Sequence, residues 1–164
     1  MENIIINQKA PDFEAQDFNG NKFKLSDFIG SKNVLIVLNR GFVWPFCRKH
    51  MMQLHQDYEK FAAKDTIIAV IGPENSNSFK DYWEENSYRF YGISDAKKSV
   101  LKLYEQEVSI LKLGRMPAQI LVDKSGVLRY LHYGRSMKDI PENSEILELI
   151  DTLWNTNWIF FRQK

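Results

Sequence analysis

The chain has 164 residues, 44% hydrophobic and 26% charged, enough to bury the core of one domain and outside the compositions of disordered or disulfide-scaffold chains. Twenty-two Lys and Arg balance twenty-one Asp and Glu, with no basic block long enough to track a phosphate backbone, so nucleic acid is not an expected partner. The longest apolar runs fall far short of the roughly 20 residues of a membrane span and no basic region precedes Ile4, which predicts a cytoplasmic chain without a membrane partner. A single cysteine, Cys47, rules out an internal disulfide and a zinc site built on Cys pairs; with only three histidines, no metal or cofactor is expected.

Residues Pro11 to Phe28 read as a small hairpin followed by a turn: Phe13 and Ala15, then Phe23 and Leu25, alternate with polar residues around Asn19-Gly20, a type I′ turn signal. Val34 to Leu38 is a continuous apolar run, as expected of a central strand buried on both faces. After Pro45, which suits a helix's first turn, Cys47, Met51, Leu54, Tyr58 and Phe61 recur on one helical face. Thr66 to Gly72 is the next buried strand, and a helix from the Pro73–Ser78 cluster to about Asn86 completes a parallel βαβ unit. Phe90 to Ser94 predicts a short strand, Ala96 to Gln106 a short helix, and Ile120–Asp123 with Val127–His132 an antiparallel hairpin around Lys124-Ser125-Gly126. A final helix runs from about Glu142 to Leu153, followed by an aromatic tail. The whole is one α/β domain with a mixed sheet.

The segment from Arg40 to His50 follows a buried strand and enters a helix, the place where α/β sheets present chemistry. A thiol in a helix's first turn meets unpaired N–H groups and the positive end of the helix dipole, both of which favour thiolate. Making an ordinary thiol mostly thiolate at neutral pH takes roughly 2.7 kcal/mol, more than the dipole's ~0.3–2 kcal/mol, so a cation must help. Arg40 and Arg115 are the leading candidates, ahead of Arg48 and Lys49, which are expected to face solvent. The competing reading makes Cys47 a small core residue on the Met51–Leu54 stripe. His50, one helical turn after Cys47, is in reach to tune the thiol but is expected at the surface, and His55 and His132 read as ordinary helix and strand residues.

Several separated motifs resemble the alkyl hydroperoxide reductase/thiol-specific antioxidant family: Ala10-Pro11-Asp12-Phe13, Asn19-Gly20, Leu25-Ser26-Asp27, the Arg40–Cys47 segment and Val122-Asp123-Lys124-Ser125-Gly126. The resemblance spans about residues 5–153 and is nearest to the peroxiredoxin-like branch. It implies a thioredoxin-like fold, a mixed central sheet flanked by helices with an N-terminal β-hairpin extension, forming a single redoxin domain over 1–164 with an aromatic tail at 154–164. Trp44 stands where thioredoxins keep the attacking cysteine and typical peroxiredoxins a threonine. Arg40 replaces a peroxiredoxin proline and Pro117 an arginine; Pro117 instead resembles the cis-proline of thioredoxins, with Arg115 as a substitute cation. In this comparison Trp44 and Pro117 shape the site and Cys47 is the nucleophile.

With one thiol, self-contained dithiol exchange is not expected. The family implies a one-cysteine thiol peroxidase that reduces hydrogen peroxide or organic hydroperoxides through a Cys47 sulfenic acid, restored by an external small thiol or thioredoxin-like protein. The alternative is a redoxin-fold binding module or thiol sensor without turnover, expected if Phe42 and Trp44 cover the sulfur. Trp154, Trp158, Phe160 and Phe161 read either as a homodimer contact or as cover for the chain's own sheet.

Overall fold

The computed structural model describes residues 4–161, with side chains as far as Leu153. It opens with an antiparallel hairpin of β1 (Glu14–Gln16) and β2 (Lys22–Lys24). The connection is not the expected two-residue type I′ turn, which needs two positive φ angles; of Asn19 and Gly20 only Gly20 has one, +83°. Asp17 organises the loop instead. Its carboxylate accepts the Asn19 and Asn21 amides, and its carbonyl accepts the Gly20 amide.

Then come β3 (Asn33–Leu38), α1 (Pro45–Gln56), α2 (Tyr58–Ala62), β4 (Thr66–Gly72), α3 (Ser76–Asn86), β5 (Tyr91–Ser94) and α4 (Ser99–Leu103). The chain continues through the two-residue strands β6 (Val108–Ser109) and β7 (Gly114–Arg115), then β8 (Ala118–Val122), β9 (Leu128–Tyr133) and α5 (Asn143–Phe161). The main sheet runs β5-β4-β3-β8-β9, with parallel pairs among β3, β4 and β5 and antiparallel pairs for β8 with β3 and β9. This is the expected mixed sheet with β3 at its centre.

Both faces of β3 are covered, which is why all six of its residues are buried and apolar alternation is absent. Val34, Ile36 and Leu38 face a cluster with Phe13, Phe23 and Leu25 from the N-terminal hairpin region and Val100, Leu101 and Tyr104 near α4. Leu35 and Val37 face the opposite cluster, with Met51, Leu54, Phe61, Phe79, Trp83, Ile146 and Ile150 from the helices. No described helix is long and apolar enough to cross a membrane.

Three expectations shift. The single helix expected after Pro45 breaks at Asp57, whose carboxylate is held by Lys60 and by Asn143 at the start of α5. Its apolar stripe continues across the break, with Cys47, Met51, Leu54 and Phe61 all buried. The helix expected over 96–106 shrinks to α4, bracketed by left-handed Lys98 and Glu105, while the Asp95 carboxylate accepts the Ser99 and Leu101 amides. The backbone of α5 continues beyond Leu153 to Phe161. The aromatic side chains of the tail lie outside the described residues, so both readings of them remain expectations.

Candidate active site

The turn between β3 and α1 is built from close polar contacts. Asn39 Oδ1 accepts the Gly41 amide at 2.7 Å. Gly41 adopts φ +136°, where L side chains are strained, and a Cβ there would lie 3.3 Å from Glu74 Oε1 and 3.4 Å from Trp44 Cδ1. Phe42 donates its amide to Glu74 Oε1 at 2.5 Å, and the Arg48 guanidinium donates to the Phe42 carbonyl. The Phe42 ring stacks on Tyr82 at 4.3 Å and meets Phe79 edge-on at 4.8 Å. Pro45 then starts α1, where its missing N–H has no intrahelical partner to lose.

Cys47 lies in the first turn of α1 and is 2% exposed. Burial pushes its thiol above the ordinary range and outweighs the opposing influences, which are the Arg40 amide, the Arg40 charge and the Gly41 amide; Glu74 adds a further upward push. The expectation of a sulfur poised as thiolate is therefore corrected: desolvation is the larger effect, and the resting group is a thiol. Of the two rings considered as cover for it, Phe42 stacks on Tyr82 and Trp44 lies beneath the Arg40 guanidinium. Cys47 lines a narrow crevice with room for about one water molecule, whose walls also include Asn39, His50, Pro117, Gln119 and Asp139.

Arg40 is 4% exposed, and no ion pair is seen for it among the described residues. Its Nε donates to the Arg115 carbonyl at 2.7 Å and its Nη2 to the Leu113 carbonyl at 2.9 Å, while Nη1 is buried without a partner. The guanidinium carbon sits 4.0 Å from the centre of the Trp44 ring, a cation–π contact. Arg115 meets Arg40 through its main chain, and its own guanidinium donates to Gln106 Oε1 at 3.3 Å. The charges acting on Cys47 are those of Arg40 and Glu74, so Arg115 reaches the site as a carbonyl acceptor rather than as the second cation expected. Pro117 lines the crevice, but its peptide bond is trans, unlike the cis-proline it resembles in sequence. Its carbonyl accepts the Gly134 amide across the β8–β9 end.

His50 is not at the surface. It is 4% exposed, and its Nε2 lies 2.8 Å from Gln119 Nε2, an inward residue of β8 that is 1% exposed. Burial lowers His50 to about 4, which keeps the imidazole neutral. His132 also lines the crevice and pairs through Nε2 with Asp139 Oδ1 at 3.0 Å. Gln106 ties the base of the site together, its amide nitrogen donating to the Asn39 and Met116 carbonyls at 3.1 and 3.0 Å. Glu74, Gln106 and Gln119 carry no local sequence signal; only the sheet and its loops bring them to the Cys47 turn.

The chain belongs to the AhpC/TSA family, whose pattern it matches over residues 6–131. Among curated proteins it is similar to the peroxiredoxin Bcp of Bacillus subtilis, with 27% identity over 157 residues covering 92% of this chain and 95% of that protein. It is also similar to the thiol-disulfide oxidoreductase ResA of Bacillus thuringiensis, with 28% identity over 127 residues covering 76% of this chain and 68% of ResA. Among solved structures, the reduced 2-Cys peroxiredoxin of Plasmodium vivax superposes with a TM-score of 0.82 at 18% identity, covering 93% of this chain and 83% of that one. The architecture is the thioredoxin-type fold shared with peroxiredoxins.

Proposed function

We propose that the chain is a one-cysteine thiol peroxidase that reduces hydrogen peroxide or an organic hydroperoxide, with an external thiol as reductant. The observation that carries this reading is the placement of its only cysteine, at the first turn of α1 with the Arg40 guanidinium and the Arg40 and Gly41 amides acting on its sulfur, in a chain of the AhpC/TSA family. Its similarity to the peroxiredoxin Bcp of Bacillus subtilis supports the same reading. In this proposal Cys47 loses its proton and the thiolate attacks one peroxide oxygen. An S–O bond forms, the O–O bond breaks, and its electron pair leaves as hydroxide or alkoxide, which takes up a proton to give water or an alcohol. Two external thiols then return the sulfenic acid to thiol, releasing water and a disulfide. Arg40 stabilises the thiolate and the developing negative charge, Arg115 positions Arg40 through its carbonyl, and Trp44 and Pro117 shape the guanidinium seat and the crevice.

The near-complete burial of Cys47 favours the second reading, a redoxin-fold binding module or thiol sensor. Peroxide consumption by the full chain with dithiothreitol as reductant separates the two. The peroxidase reading expects multiple turnovers, a dimedone adduct on Cys47 after one equivalent of peroxide, and complete loss of both in Cys47→Ser. Absence of turnover and adduct in the unmodified chain gives the site to the module.

A further inference from the structure

Glu74 is the one carboxylate among the described residues whose charge acts on the Cys47 sulfur, and its setting is unusual for a carboxylate. It follows β4, the strand beside β3, and is packed so closely against two glycines that a Cβ on Gly72 would lie 2.6 Å from Oε2 and one on Gly41 3.3 Å from Oε1. Oε1 accepts the Phe42 amide at 2.5 Å, whereas Oε2 is buried with no partner. The Ser94 hydroxyl secures the Glu74 carbonyl at 2.7 Å. Arg40, the buried cation of the same turn, does not pair with it, and Arg48 spends its Nε on the Phe42 carbonyl. Among the described residues the titratable groups near this turn include Cys47 on α1, Tyr82 on α3 behind the Phe42 ring, and Asp95, whose amide donates to the Gly72 carbonyl and whose carboxylate accepts the Ser99 and Leu101 amides. A carboxylate sited in this way has two effects of opposite sign. Its oxygen anchors the turn that presents the Arg40 and Gly41 amides to the sulfur, and its charge opposes thiolate formation at that sulfur.

We propose that Glu74 is the positioning residue of the Cys47 site: it fixes the 40–42 turn through the Phe42 amide and at the same time restrains the reactivity of the thiol by its charge. The inference rests on Cys47 being the reactive sulfur of the proposed function and does not depend on turnover. Burial raises both the Glu74 carboxyl and the Cys47 thiol above their ordinary ranges, and a charge on Glu74 opposes the appearance of a second negative charge on the sulfur.

Glu74→Gln keeps an oxygen for the Phe42 amide and removes the charge; Glu74→Ala removes both. The rate of Cys47 alkylation by iodoacetamide, measured against pH on the full chain, separates the two effects without peroxide or reductant. The expected result is that E74Q reacts several-fold faster than the unmodified chain at pH 8, with its half-reactivity pH moved downward. E74A is expected to react more slowly than E74Q, because the amides are no longer held. An E74Q profile that coincides with the unmodified one, or moves upward, overturns the charge restraint. Equal profiles for E74Q and E74A overturn the anchor. If E74A loses its far-ultraviolet circular dichroism, the amide proton of Phe42 in E74Q decides the anchor: exchange as slow as in the unmodified chain sustains it, and fast exchange overturns it. Because alkylation requires no peroxidase activity, an inactive peroxidase leaves this result standing.

Discussion

Two segments meet at Arg40 and are held in opposite ways. The turn at 39–42 is buried, with Phe42 embedded among Tyr82, Phe79 and Trp83 and its amides taken by Asn39 and Glu74. The β6–β7 hairpin carries its apolar residues outward, Ile110 and Leu111 being 93% and 96% exposed, and is joined to the body by polar bonds from Arg40, Gln106 and Met116. Apolar burial stabilises in proportion to the area withdrawn from water, so the first segment is part of the core and the second is attached by a few directional contacts. The sulfur and its amides sit on the rigid segment, while the guanidinium that acts on them is shared with the loose one.

Truncating the aromatic anchor is the strongest way to break this contrast. Phe42→Ala is expected to lower unfolding stability by about 3–5 kcal/mol, read by urea denaturation, because it opens a cavity at the centre of the ring cluster. Acid comes next. His50 is neutral in the fold down to about pH 4, whereas an unfolded histidine takes its proton near 6.5, so the unfolded state binds more protons between those values and stability falls as pH is lowered through that window. The full loss is about 3 kcal/mol, reached near pH 4, and His50→Leu is expected to flatten this part of the stability–pH curve.

Arg40→Met sharpens the comparison at the point where the segments join. Without the guanidinium the amides of residues 113–115 are expected to exchange faster while those of the turn are unchanged, and Cys47 alkylation at neutral pH to slow by about tenfold as the thiol rises further. The smallest effect is expected at the hairpin tip. Leu111→Ser withdraws no packed surface and should change unfolding stability by less than about 0.5 kcal/mol, seen as an unmoved urea midpoint.

Much of the frame was legible in the residue pattern. The unbroken apolar run at 34–38 announced a strand covered on both faces, and Pro45 followed by the Cys47–Met51–Leu54 stripe announced a helix with the sulfur in its first turn. The β6–β7 hairpin escaped because its apolar residues point outward and leave no alternation to read. His50 escaped for a related reason: its burial depends on Gln119, which is 69 residues away and arrives only when β8 joins β3.

Composition and periodicity thus determined on their own the strands of the main sheet, the start of α1, which strand is central and where the single thiol stands, since these depend on contacts between near neighbours and on average burial. The protonation state of that thiol, the division of labour between Arg40 and Arg115, and the presence of Glu74 and Gln119 were decided by tertiary structure alone. They depend on how much water is excluded and on which charges and amides distant loops bring within a few ångströms, and neither quantity has a local signature in the chain.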